Sequence, residues 1–293
     1  MSQGPTWLAA FLAAERLPPD YIDMLNLVAI PLADQIAAAP GPITVGLCGS
    51  QGSGKSTLAG VLSRLLADRG LRVATLSLDD LYLTRFERQA LARDVHPLLA
   101  TRGPPGTHDV ALGLDTLDAL TRPGQVALPR FDKARDNRSP EEAWDRVDAP
   151  SDVVLFEGWC VGALPQDAAA LATPVNALER EQDRDGIWRR YVNDALAGAY
   201  QALFGRLGRL VMLKAPGFDT VLNWRLEQEH KLRDRLRAAG KDLSATMSDD
   251  GVATFIAHYE RLTRHILAEM PARADAVVRL DAERRPLGMQ TIS

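Results

Sequence analysis

The chain has 293 residues, of which 46% are hydrophobic and 25% charged, and a formal net charge of −4. That length suits one large α/β domain and is short for two full domains with a linker. The acidic balance excludes a basic field for nucleic acid or a membrane surface, and two cysteines, Cys48 and Cys160, exclude a zinc cluster or a secreted disulfide framework, so a cytoplasmic protein is expected.

Residues 1 to about 39 read as helical, with Leu25, Leu27, Val28 and Leu32 offering an apolar face, until Pro40-Gly41-Pro42 breaks the pattern. The apolar patch from Trp7 to Ala14 has no basic segment before it, and no apolar run approaches the ~20 residues that span a bilayer. The expected division is an N-terminal helical extension over 1–40, packed on a core domain over 41–293.

A strand over 43–48 leads into a glycine-rich loop, a helix over 56–69 stopped by Gly70, and a strand over 71–78 ending on Asp79 and Asp80. Strand, loop, helix, strand is the unit of a doubly wound, mostly parallel sheet flanked by helices. The loop reads Gly49-Ser50-Gln51-Gly52-Ser53-Gly54-Lys55-Ser56 and fits G-x-x-x-x-G-K-[ST] at every fixed position. Its glycines let backbone N–H groups turn toward anionic oxygens, and the following helix, with Ser56 and Thr57 in its first turn, adds its positive end. Lys55 is placed for the β- and γ-phosphates of ATP, and the Ser56 hydroxyl for Mg²⁺. Only five of the 34 basic residues are lysine, which makes a lysine in this frame informative.

Ligands of open α/β sheets sit outside the carboxyl ends of the strands, so acids there are candidates for chemistry. Asp79 is the candidate general base on an acceptor hydroxyl; Asp80 is either part of the metal shell or a cap of the next helix. Residues 100–150 are rich in Pro, Gly and charge and read as long functional loops around one short helix. Within them Arg102, His108, Asp109, Arg130, Asp132, Lys133 and Arg138 are polar candidates for a small acidic acceptor, arginine being suited to a carboxylate.

A buried strand over 153–156 ends on Glu157, a second candidate for the metal shell, with Trp159 as pocket wall or acceptor contact. Helices are expected over 176–205, a strand over 210–213, helices over 219–239 and 252–270, and a last strand over 277–280. The charged helix after 213 is either a solvated surface helix or a lid over about 217–240, with Arg225 and Arg233 as its candidate catalytic arginines.

Six segments carry a resemblance: SLDDLYLT (77–84), RGPPGTHD (102–109), LPRFDKA (128–134), VVLFEGWCVG (153–162), WRLEQEHKL (224–232) and MSDDGVATFIAHY (247–259). Together they resemble the D-glycerate 3-kinase family of P-loop kinases, more distantly similar to uridine kinases, phosphoribulokinases and pantothenate kinases. The resemblance implies a P-loop kinase fold with ATP as donor, Asp79 as base with Tyr82 beside it, Glu157 as the acid of the family's Glu-Gly pair, and lid arginines near Arg225 and Arg233. Phe131 and Ala134 stand where the family pattern has tyrosine and serine, and 135–138 departs from a more glycine-rich stretch. Another small hydroxylated acceptor (a nucleoside, sugar phosphate or pantothenate-like alcohol) and a regulatory NTPase remain as alternatives, although the chain has no N-K-x-D guanine-reading motif.

Overall fold

The computed structural model describes residues 6–244 and 246–291. Its N-terminal stretch forms α1 (Leu8–Glu15), α2 (Tyr21–Met24) and α3 (Ile30–Ala37), with a π-helical turn over Leu25–Ala29 between the last two. Pro31 accounts for that turn. It has no N–H to return to the preceding turn, and its ring would press on the carbonyl four residues back, which a widened turn relieves. Leu25, Val28 and Leu32 are buried as the pattern suggested, whereas Leu27 points outward and is exposed. Residues 1–5 of the predicted helical stretch lie outside the described residues.

β1 (Ile43–Gly49) runs through the glycine loop into α4 (Lys55–Ala67), then β2 (Val73–Ser77) and a 3-10 turn over Leu78–Asp80. α5 (Arg85–Asp94) starts at a capping box between Thr84 and Glu87, so neither aspartate of the 79–80 pair caps it. α6 (Val110–Ala119) is capped by Asp109. Beyond it, where loops were expected, β3 (Gly124–Leu128), β4 (Phe131–Asp132), β5 (Asn137–Arg138) and β6 (Asp145–Ala149) form two small antiparallel ladders, β3 with β6 and β4 with β5. These strands escaped notice because β6 reads Asp-Arg-Val-Asp-Ala, with only Val147 and Ala149 packed inward among three charged residues, and two-residue strands have no period to detect.

The chain continues through β7 (Val153–Gly158), α7 (Ala177–Gln182), α8 (Ile187–Ala197), α9 (Ala199–Phe204), β8 (Arg209–Lys214), α10 (Phe218–Ala238), α11 (Asp249–Glu269), β9 (Ala276–Leu280) and β10 (Pro286–Thr291). The main sheet has the order β10-β9-β8-β1-β7-β2 and is parallel except for the edge strand β10, which the sequence pattern did not reveal. Every residue of β7 is buried, as expected of a central strand covered on both faces. Leu8, Phe11, Val28 and Leu32 join the same apolar core as β1, β7 and α4. Because β1 leads by way of α4 to β2 with β7 lying between them, the crevice outside their carboxyl ends is where a ligand fits. None of the described helices is long and apolar enough to cross a membrane.

Candidate active site

Gly49 closes β1 and Lys55 opens α4, so the loop between them sits at the helix N-terminus with its backbone directed at the crevice. Gly52 adopts a φ of +78°, and a Cβ placed there would stand 2.7 Å from Cβ of Trp224 on α10. Only glycine satisfies both the left-handed backbone and this close approach.

One acid ties the loop to the sheet. In strand register Glu157 lies between Leu47 of β1 and Ser77 of β2. Its Oε1 accepts from Ser56 Oγ at 3.0 Å and from Ser77 Oγ at 2.8 Å. Its Oε2 lies 4.0 Å from Lys55 Nζ and, although buried, has no hydrogen-bond partner among the described residues. Ser50 Oγ and Ser53 Oγ in the loop are likewise buried without partners. A carboxylate oxygen left open beside a serine hydroxyl, a lysine and a glycine loop fits a hard divalent cation together with phosphate oxygens. Ser56 and Glu157 are the side chains able to hold that ion.

Asp79 stands on the 3-10 turn after β2. Its Oδ1 accepts from Tyr82 Oη at 2.7 Å and its Oδ2 from Lys133 Nζ at 2.6 Å. Burial alone would push this carboxyl up. The positive charges of Lys133 and Lys55, with the hydrogen bonds from Lys133 and Tyr82, outweigh burial and hold it well below the usual carboxylate range. The result is a half-buried carboxylate, ionised at neutral pH, on the same side of the sheet as the phosphate loop.

The 102–109 loop pairs with the segment just after this carboxylate, Asp109 N–H donating to Leu81 O at 2.7 Å and Leu83 N–H to Thr107 O at 3.0 Å. Gly103 has a φ of +122° and leaves no room for a side chain, since a Cβ would fall 1.9 Å from Tyr259 Oη. Tyr259, on α11, donates to Arg102 O at 2.9 Å, and Trp159 donates from Nε1 to Gly103 O at 3.0 Å. Trp159 is buried and edge-on to Tyr259, so it is a wall that props the loop, with its one donor already used. Arg102 lies over the Phe131 ring and pairs with Asp136. His108 stacks on Tyr82 with ring centroids 4.6 Å apart.

Several sequence candidates have structural partners in place of an open pocket. Both oxygens of Asp80 are engaged, one by Phe131 N–H at 3.0 Å and the other by Arg130 at 3.2 Å. Asp80 therefore straps the 129–131 segment down and is not free to join a metal shell, and Arg130 completes that strap through Asp145 at 2.8 Å. Asp132 folds its own turn by accepting from Ala134 N–H and Arg135 N–H. Asp109 caps α6 and holds Arg138 at 2.9 Å. On α10, Arg225 pairs with the buried Glu229 at 2.7 Å and lies over Phe255. Arg233 is two turns further along, about 12 Å of helix rise, and pairs with Asp249 at the start of α11, away from the phosphate loop.

Sequence reading missed Arg284, just past β9. Its Nε donates to Gly52 O at 2.7 Å, inside the phosphate loop; its guanidinium lies over Trp224 and pairs with Glu227 at 2.6 Å. Trp224 in turn donates to Ala282 O at 2.6 Å. Arg284 keeps a φ of +69°, an unfavourable backbone for arginine, in making this contact. Nothing in its local sequence marks it.

No protein-family model matches the chain. It is 37% identical over 229 residues to an uncharacterised kinase of Schizosaccharomyces pombe, mug58, an alignment covering 74% of this chain and 78% of that one. It is 32% identical over 265 residues to the chloroplastic D-glycerate 3-kinase of Arabidopsis thaliana, covering 84% of this chain and 54%, about half, of the plant protein. Among solved structures, the D-glycerate 3-kinase of Cryptococcus neoformans var. grubii superposes with a TM-score of 0.72 at 26% identity, over 90% of this chain and 97% of that one. Fold, phosphate loop and relatives define a P-loop kinase, an ATP-dependent phosphotransferase with an alcohol group of a small molecule as acceptor. Within that class, the chain belongs to the D-glycerate 3-kinase family.

Proposed function

We propose that this kinase transfers the γ-phosphoryl group of ATP to the 3-hydroxyl of D-glycerate, giving 3-phospho-D-glycerate and ADP. The observation that carries the reading is Asp79: a half-buried, ionised carboxylate bonded to Tyr82 and Lys133 and within the field of Lys55. It has the charge state and placement of a base that draws the proton from an attacking hydroxyl. Residues 49–57 cradle the phosphates by backbone N–H groups, with Lys55 on the transferring end. Ser56 and Glu157 hold Mg²⁺, which when bound neutralises charge developing on the phosphates. Lys133 and Arg102, cations on the acceptor side of Asp79, receive the glycerate carboxylate, and Arg225 approaches from α10. The names of the plant and fungal relatives support this acceptor.

The test is incubation with ATP, Mg²⁺ and a panel of alcohols, scored by ADP release and by mass spectrometry of the product. 3-Phosphoglycerate is the expected product, and glycerol is expected to fail because the cations on the acceptor side then lack their partner. ADP release with another alcohol but none with D-glycerate would overturn the acceptor while leaving the kinase. Phe131 gives that second reading an observation, since its ring packs edge-on to Tyr82 at 5.2 Å where the family pattern has tyrosine.

A further inference from the structure

His108 is almost wholly buried beside the proposed base, yet one of its nitrogens is unaccounted for. Nδ1 lies 2.6 Å from Tyr200 Oη, while Nε2 has no hydrogen-bond partner among the described residues. Burial pushes its pKa down to about 3, so the ring is neutral at any working pH and carries a single N–H.

The hydrogen-bond network decides which nitrogen carries it. Tyr200 Oη already accepts the Gly106 backbone N–H at 3.0 Å. If Nδ1 were the protonated nitrogen, it would also donate to Tyr200 Oη, and the buried Tyr200 hydroxyl proton would have no acceptor. If Tyr200 O–H donates to Nδ1, the tyrosine is satisfied on both counts and the imidazole proton resides on Nε2. The Nε2–H is then a buried donor with nothing to bond, an arrangement proteins avoid unless a ligand completes it. The His108 ring is stacked on Tyr82, whose hydroxyl bonds Asp79 at 2.7 Å. The His108 ring therefore packs against the tyrosine that bonds the carboxylate taking the reacting hydroxyl, on the acceptor side of the site.

We infer that His108, locked in its Nε2–H tautomer by Tyr200, donates to a second, non-reacting hydroxyl of the acceptor, and so makes this kinase specific for alcohols with a hydroxyl on the neighbouring carbon. Asp79 and the cations account for the reacting hydroxyl and the carboxylate. A neutral donor completes the set, being matched to a neutral oxygen. Tyr200 is a positioning residue and touches no substrate. The inference rests on the proposed function only for the identity of the acceptor.

The experiment is a cycle of enzyme variants against two acceptors, D-glycerate and 3-hydroxypropanoate, which keeps the reacting hydroxyl and the carboxylate but lacks the neighbouring hydroxyl. Wild type should prefer glycerate by about 100-fold in kcat/KM, the scale set by leaving one buried neutral donor unsatisfied. His108→Phe should shrink that preference to about threefold with the KM for ATP unchanged, and Tyr200→Phe should fall between the two. His108→Gln, which can still present an N–H, should keep most of the preference; thermal melts confirm that each variant is folded. Independently, nitrogen NMR of labelled wild type should show Nε2 protonated and Nδ1 bare, with loss of that single tautomer in Tyr200→Phe. Equal preference in wild type and folded His108→Phe, or protonation on Nδ1 in wild type, would overturn the inference. If wild type uses another alcohol, the pair becomes that alcohol and its analogue stripped of the neighbouring hydroxyl, so failure of the glycerate reading leaves this test intact.

Discussion

Lys133 Nζ sits 2.6 Å from Asp79 Oδ2, and this pair sets the charge state of the proposed base. Asp79 is half-buried, with 27% of its side chain exposed, whereas the Lys133 side chain is more than half exposed at 58%, on the β4–β5 turn outside the main sheet. The lysine thus keeps the carboxylate ionised before substrate arrives, and an acceptor hydroxyl must take its place at Oδ2 to be deprotonated.

Two variants separate charge from chemistry at this pair. Asp79→Asn should retain ATP binding and lose about 10²–10⁴ in kcat, the usual contribution of a general base. Turnover close to wild type would remove Asp79 from that role. Lys133→Met should move the acid limb of the kcat/KM profile. Asp79 must be ionised to act and Lys133 favours its ionised form, so losing the lysine raises the carboxyl's pKa and shifts the limb to higher pH. A limb that stays in place would show that Lys133 does not tune the base.

At the phosphate loop, Lys55→Ala should lower kcat by about 10²–10³ and weaken ATP binding, since an electrostatic partner of the transferring group is lost. Glu157→Gln removes the charge behind the open oxygen but keeps the shape that accepts from Ser56 and Ser77. The magnesium concentration for half-maximal rate should rise about tenfold while the unfolding midpoint changes little. An unchanged magnesium requirement would take Glu157 out of the metal shell.

Arg284 tests whether the loop is held from behind. A charged hydrogen bond of this kind contributes about 1.5–3 kcal/mol, so Arg284→Ala should raise the KM for ATP by about 10-fold or more. Arg284→Gly loses the same contact but relieves the backbone at φ +69°. The two variants should share the ATP defect, with the glycine variant the more stable to urea. A KM for ATP near wild type in both would reduce the clamp to a packing contact.

The sequence made the chemistry of the donor side visible and left much of the acceptor side hidden, for a physical reason. The phosphate loop and Glu157 lie at the ends of β1 and β7, interior strands that show as largely apolar runs, and Asp79 follows β2, whose apolar residues end abruptly on an acidic pair. β3 to β6 are short and half-solvated, and all but β3 carry charge, so no period betrays them. Arg284, Tyr200 and Arg88 act through partners distant in sequence, as in the 232 positions between Arg284 and Gly52, and only the fold brings them together. Asp80 and Asp132 looked like site acids because composition cannot distinguish a carboxylate that holds a loop from one that meets a ligand.

Arg88 carries the last prediction, because it joins the acceptor loops to one another. It is 1% exposed, donates to Leu83 O at 3.2 Å, Ala100 O at 2.7 Å and Asp136 O at 2.9 Å, and pairs with Asp136 Oδ2 at 2.8 Å. Asp136 also receives Arg102, so one carboxylate links a buried structural arginine to an arginine of the proposed acceptor pocket. Arg88→Ala would take away one of the two arginines on that carboxylate and the donor to three carbonyls, at a cost of about 1–3 kcal/mol for each buried group left unsatisfied. Urea unfolding should show this loss in full, and the surviving folded fraction should have a raised acceptor KM because Arg102 loses its fixed counter-charge. Asp136→Asn keeps a polar partner for both arginines and should lose less stability than Arg88→Ala while still raising the acceptor KM. If Arg88→Ala were as stable as wild type, the buried arginine would not be what holds these loops together; if Asp136→Asn left the acceptor KM unchanged, the link to Arg102 would carry no functional weight.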